Sequence, residues 1–278
     1  MGTLTGLYVY PIKSLGGIAL AEAQLEARGL QYDRRWMLVD DAGKFLSQRE
    51  QPGLALLGTA LEPPFLSVFL KKNPAGRLKI PLEPQLEEMR ETAVQVWGDH
   101  CLARLHHPAV NEWFSNVLGV SLRLVFMPDD TRRLADERYA PGRTPVSFAD
   151  GFPYLLIGQA SLDDLNSRLS QPLPMNRFRP NFVFTGGAPY EEDGWRDFKI
   201  GNVLFRGVKP CARCIIPTID QDTAVRTAEP LKTLTTYRRA GQKVLFGQNV
   251  VWLGQDVGQI VRVGDMVLPG KKGAAGPC

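Results

Sequence analysis

Apolar and polar positions alternate along TLTGLYVYPIKS (3–14), and the alternation stops at Pro11. A period of two marks a half-buried strand, and proline lacks the N–H that would extend a ladder. The pattern returns in RRWMLVD (34–40) and, after the turn residues Asp41-Ala42-Gly43, in FLSQRE (45–50), so a hairpin is expected there. Further short strands are predicted at LSVFLKK (66–72), AVQVWGD (93–99), CLARLH (101–106) and SLRLVFMP (121–128). Pro63-Pro64 and Asn73-Pro74-Ala75-Gly76 punctuate them. In the second half, strands are predicted at NFVFTGG (181–187), FKIGNVLFRGV (198–208), VLFGQNVVWL (244–253) and QIVRVGDMVLPG (259–270).

Only three segments carry the helical period. Apolar residues at 110, 113, 114, 117 and 118 share one face of VNEWFSNVLG. In SLDDLNSRLS (161–170), Leu162, Leu165 and Leu169 share a face, and Ser161 with Asp164 predicts a capping box. PLKTLTTYRRA (230–240) is the third. Many short strands and few helices predict a mainly β chain of barrel or sandwich type. The polar stretch DDTRRLADERYAPGRTP (129–145) reads as a long functional loop near a domain boundary. Two domains are expected, 1–125 and 126–272, followed by a disordered tail at 273–278 that makes Cys278 incidental. No Gly-rich dinucleotide fingerprint, phosphate loop or internal repeat is present.

Composition narrows the class. Of 278 residues, 44% are hydrophobic and 22% charged, which suits a large core. The net charge of +4 is too mild to argue for nucleic acid. No apolar run approaches the roughly 20 residues of a membrane span, and the N-terminus lacks a secretory signal pattern, so a cytoplasmic protein is expected. Four cysteines in a reducing compartment do not build a disulfide framework.

The chemistry concentrates in KPCARC (209–214), where Cys211 and Cys214 stand beside Lys209 and Arg213. Structural zinc, a redox pair and two idle thiols all remain open. Zinc needs more ligands than one CxxC supplies, and His100, His106 and His107 lie far upstream. Neighbouring cations favour a thiolate, the form that binds soft metals. Basic residues recur at strand ends: Lys13-Ser14, Asp33-Arg34-Arg35, Arg49, and Arg177 with Arg179 and Asn181. Several such groups converging would suit a phosphate-rich ligand. The acidic run Glu191-Glu192-Asp193 reads as a solvated face, and Asp220 with Asp222 as turn formers. The five tryptophans read as core or edge packing, with Trp195 a candidate neighbour of the site.

YPIKSLGG (10–17), DRRWMLVD (33–40), SFADGFPYLLI (147–157), RFRPNFVFTGG (177–187), EEDGW (191–195), KPCARC (209–214) and FGQN (246–249) occur in that order. As an ordered set they resemble the MOSC superfamily, in particular the bacterial hydroxylaminopurine-reducing proteins and the mitochondrial amidoxime-reducing component. The resemblance spans nearly the whole chain. It implies an N-terminal β-barrel-like domain, a MOSC β-barrel domain and a molybdenum cofactor (Mo-molybdopterin) in a basic cleft between them. It implies Cys214 as the metal ligand, with Lys13, Ser14, Arg34, Arg49, Arg179, Asn181 and Arg213 holding the pterin and its phosphate. Asp150 falls in the implied active-site loop and is the expected proton donor. The implied activity is pyridoxal phosphate-independent reduction of small N-hydroxylated substrates. Without an appended ferredoxin domain, electrons would come from a separate flavin or iron–sulfur reductase. A cofactor or sulfur carrier without reductase activity is the alternative. Pro217 stands where the family carries Thr and Ala224 where it carries Gly, both in the loop beyond Cys214.

Overall fold

A computed structural model describes residues 1–254 and 258–270 of the chain. The expected tail at 273–278, with Cys278, lies outside the described residues. The architecture is mainly β, with helices at Pro108–Leu118, Gln159–Ser167 and Leu231–Tyr237 among the described residues.

Seven strands close into a barrel. Their order is Tyr154–Gly158, Phe182–Thr185, Gly2–Val9, Met266–Pro269, Asp197–Ile200, Val203–Ala212 and Lys243–Trp252, and the last pairs back onto the first. The N-terminal strand thus sits inside a barrel built otherwise from the second half of the chain. A register shift between Leu4 and Gly6 lets Leu4, Leu7 and Val9 all point into a core shared with Phe182, Phe198 and Phe205, while Thr3 and Thr5 face outward. Burying one such side chain stabilises by roughly 1.5–3 kcal/mol.

The first half adds a four-stranded sheet, ordered Trp36–Val39, Arg123–Phe126, Asp99–Leu105, Arg90–Val96, and a three-stranded sheet, Leu57–Glu62, Phe65–Leu70, Asn73–Pro81. Helix Pro108–Leu118 packs Phe114 into the core between them. His107 caps its start by accepting from the Ala109 N–H, and Gly119 ends it at φ +70°.

Several expectations are corrected. FLSQRE forms no strand beyond isolated bridges at Lys44 and Phe45, because Ser47 and Gln48 turn their side chains onto Glu50 and the Ser14 carbonyl. Asn73–Pro81 is a strand rather than a break; it lies at a sheet edge, where Pro74 removes no ladder bond from a further neighbour. FKIGNVLFRGV and QIVRVGDMVLPG each divide into two strands at Gly201 and Gly264, both at positive φ. Among the described residues no helix is long and apolar enough to cross a membrane.

The largest correction concerns Ser161 and Glu192. Ser161 lies inside its helix, which Gly158 begins. Its hydroxyl donates instead to Glu192, 2.8 and 2.9 Å from the two carboxyl oxygens, and Gly158 N–H donates to the same group at 3.0 Å. Glu192, expected in solvent, is fully buried. Trp195 packs on Phe184 in the barrel core, not near the cleft. Burial raises the Glu192 carboxyl above its ordinary value of 4.5, against the hydrogen bonds that lower it. A raised folded pKa means that wild-type stability falls as pH rises from 4.5 through that value. Glu192→Gln keeps an acceptor and cannot ionise. Its stability relative to wild type is expected to increase from pH 4.5 towards neutrality, as measured by denaturation midpoints across that range. Glu192→Ala is expected to destabilise by about 1–3 kcal/mol through orphaned donors.

Candidate cofactor cleft

The barrel and the first-half sheets meet at a cleft lined by Lys13, Ser14, Arg34, Arg49, Asp150, Arg179, Asn181, Arg213 and Cys214. These are the nine site residues that the resemblance implies, whereas Arg35 and Arg177, also noted at strand ends, bond Met127 O and Pro217 O and do not line the cleft. Cys211, Phe152, Tyr154, Phe178 and Ile216 complete much of the wall. The empty space is about 810 Å³ counting the open mouth. Five cations face one carboxylate among the lining residues, so the wall carries an excess of positive charge.

Each side chain reaches the cleft for a local reason. Lys13 and Ser14 follow the first strand, which Pro11 helps to end. The strand Val203–Ala212 shifts register against Lys243–Trp252 between Gly207 and Lys209, and again between Pro210 and Ala212. Such bulges turn a strand and re-aim the residues after it, here Cys211 to Cys214. Ser14, Arg34 and Arg179 adopt φ of 72°, 51° and 56°. Left-handed backbone costs a non-glycine residue roughly 1–2 kcal/mol, so the surrounding fold holds all three in place.

Asp33 organises the arginines. Its buried carboxylate accepts from Tyr10 N–H (2.8 Å), from Asn181 Nδ2 (3.1 Å) and from Arg34 Nη1. Arg34 and Arg179 both place their guanidinium carbon 4.3 Å from the Tyr10 ring centroid. Arg179 also donates to the Leu15 carbonyl at 2.7 Å. Burial pushes the Tyr10 phenol up to about 12 in spite of these cations. Burial also lowers Arg179 to about 10, with Arg34 adding repulsion. Asn181 lines the cleft, but its amide is committed: it donates to Tyr8 O and Asp33 and accepts from Arg34 and Leu155 N–H. It therefore positions Arg34 rather than offering a free hydrogen bond.

Lys13 is almost wholly buried, and its ammonium donates to Phe148 O (2.8 Å) and Asp150 Oδ1 (2.5 Å). Burial lowers Lys13, while Asp150 opposes that. Asp150 lies within the cleft yet keeps 58% of its side chain accessible. Burial alone would raise its carboxyl, but Lys13, Arg49 and the Trp97 N–H outweigh it and hold Asp150 well below the ordinary carboxylate range. An ionised carboxylate accepts and does not donate.

Arg213 donates to Phe178 O (2.7 Å) and to Cys211 Sγ (3.2 Å), while its Nε is buried without a protein partner. Cys214 is half-buried on the wall, and no protein hydrogen bond to its thiol is found among the described residues. No three His, Cys, Asp or Glu side chains among the described residues converge to hold a metal, so a closed protein-only zinc site has no ligand set. A free thiol, an orphaned Arg213 Nε and the Arg49, Arg179 and Arg213 guanidiniums, which form no salt bridge among the described residues, suit a metal that brings its own ligands on an anionic carrier.

The loop beyond Cys214 locks onto the first half. Gln48 and Gln221 exchange amide hydrogen bonds at 3.1 and 3.0 Å, and Lys71 donates to Gln221 O at 2.6 Å. Asp220 forms the expected turn by accepting from Asp222 and Thr223 N–H. Ala224 sits at φ +59°, the conformation that favours glycine. Ala224→Gly is expected to stabilise by roughly 1 kcal/mol, checked by urea denaturation.

The cleft thus brings five cations and a cysteine thiol together on a β-barrel scaffold. Residues 1–121 match the MOSC N-terminal beta barrel domain and residues 143–268 the MOSC domain. The chain belongs to the MOSC superfamily and groups with its amidoxime-reducing components. It is 33% identical to mitochondrial amidoxime-reducing component 1 of Mus musculus, over 96% of this chain and 82% of the relative. It is 32% identical to mitochondrial amidoxime reducing component 2 of Bos taurus, over 86% and 73%. A molybdenum cofactor sulfurase of Oryza sativa subsp. japonica is 33% identical over 88% of this chain, which spans 32% of that longer protein.

Proposed function

We propose that this chain is a cytoplasmic molybdenum-cofactor-dependent reductase of small N-hydroxylated bases and related compounds, supplied with electrons by a separate flavin or iron–sulfur reductase. The observation that carries the reading is the convergence of Cys214 with five cations on one cleft. When bound, the cofactor supplies the two-electron chemistry that cleaves the N–O bond. Cys214 provides a soft thiolate ligand. Arg34, Arg179 and Arg213 hold the phosphate through charge-assisted hydrogen bonds, with Ser14 and Arg49 beside them. Asp33 and Asn181 keep Arg34 aimed.

Reduction of an N–OH group consumes two protons as water leaves. In the Lys13–Asp150 pair the proton belongs to Lys13, whose hold on it burial weakens. Lys13 therefore replaces Asp150 as the candidate for proton delivery, and Asp150 keeps the ammonium in place.

A carrier of the cofactor or of sulfur is the second reading. Cys211 Sγ also lines the cleft, 3.2 Å from the Arg213 guanidinium. The test uses protein from a molybdenum-replete host, an N-hydroxylated base and a reduced viologen as artificial donor. Turnover that scales with molybdenum content supports the reductase. Loaded protein that does not turn over overturns it in favour of the carrier.

A further inference from the structure

Trp97 stands out from the other tryptophans. It is the first residue of the two-residue turn Trp97-Gly98 between the strands Arg90–Val96 and Asp99–Leu105. Its φ is +56°, in a position where two-residue hairpins ordinarily carry glycine, asparagine or aspartate. For a bulky residue this is an outlier that the fold must sustain. The indole also stays 41% exposed, so burial is not the whole reason for paying that strain.

Two of its contacts are to Arg49 and Asp150, which line the cleft. The Arg49 guanidinium lies 4.2 Å from the Trp97 ring centroid. Indole Nε1 donates to Asp150 Oδ1 at 3.2 Å, the same oxygen that accepts from Lys13. Phe45 supports the ring at 4.8 Å, tilted by 59°, and Gln95 Nε2 bonds the Trp97 carbonyl at 2.9 Å. Arg49 has no salt bridge closer than 4.0 Å among the described residues, so the indole face is the contact that orients its charge.

We infer that Trp97 is a positioning residue of the cleft: its indole holds the Arg49 guanidinium over the mouth and fixes one oxygen of Asp150 towards Lys13. This deepens the proposed function, on which it rests, by assigning the mouth's geometry to a residue outside the anion-contacting set. The strained turn exists to bring a flat ring with one N–H to a place that needs both. Phenylalanine would keep the face and lose the N–H; alanine would lose both.

The test is a double-mutant cycle on the full chain, titrated with inorganic phosphate by calorimetry. Arg49→Ala and Trp97→Ala are each expected to weaken phosphate binding roughly two- to fivefold. The double variant is expected to bind no more weakly than Arg49→Ala alone, because the two act as one unit. Trp97→Phe is expected to recover most of the loss. Additive effects, or wild-type affinity in Trp97→Ala, overturn the inference while leaving the anion site intact. Arg34→Ala serves as the control for the site: phosphate binding that it does not change, or no phosphate binding by wild type, overturns both the inference and the cleft reading beneath it.

Discussion

Cys214→Ser is expected to abolish molybdenum retention and, with it, reduction of N-hydroxylated substrates. A serine hydroxyl is a hard, weakly acidic donor where a soft thiolate is required. The change should cost the fold little. The Cys214 side chain is half-buried and forms no protein hydrogen bond among the described residues, so its replacement orphans nothing. Unchanged denaturation with lost metal, read by elemental analysis per chain, would separate ligation from folding. Cys211→Ser should do less, since a hydroxyl still accepts from Arg213 in place of the sulfur. Should Cys211→Ser lose more molybdenum than Cys214→Ser, the ligand has been assigned to the wrong sulfur.

Asp33→Ala carries the largest expected effect on stability. It leaves the Tyr10 N–H and one Asn181 donor without their acceptor and removes the counter-charge of Arg34. Arg34 and Arg179, both packed on the Tyr10 ring, then have less opposing charge between them. Removing one partner of a buried ion pair costs about 3–5 kcal/mol. In a chain of this length that is about 10 °C in Tm. Phosphate affinity should fall as well, because the guanidiniums lose their common orientation. Asp33→Asn keeps an acceptor oxygen and should lie between wild type and alanine. A denaturation midpoint equal to wild type in Asp33→Ala would show that the carboxylate does not hold the arginines together.

Much of this was readable in the sequence, and for physical reasons. Alternation places Leu7 and Val9 on one face whatever the partner strand, while Leu4 joins them only through the register shift between Leu4 and Gly6. The motif residues cluster at strand ends and in the loops that follow, which barrels bring together, so Lys13, Arg34, Arg179 and Cys214 meet across long sequence separation. What escaped depends on the third dimension. Asp33 stood in the same motif as Arg34, but nothing local reveals that one carboxylate binds three donors drawn from three segments of the chain. Glu192 looked solvated because its neighbours are acidic; only the Ser161 hydroxyl and Gly158 N–H, from another element, make its burial tolerable. The left-handed backbone at Ser14, Arg34 and Trp97 leaves no trace in residue type, since glycine is the residue that would have announced it. Nor does anything in the sequence place the Lys13 ammonium 2.5 Å from Asp150.

The most direct measurement is the molybdenum, zinc and pterin content of the full chain freshly purified from a molybdenum-replete host. The account predicts molybdenum and pterin together, near one of each per chain, with zinc absent. Zinc near one per chain, with neither molybdenum nor pterin, would contradict it.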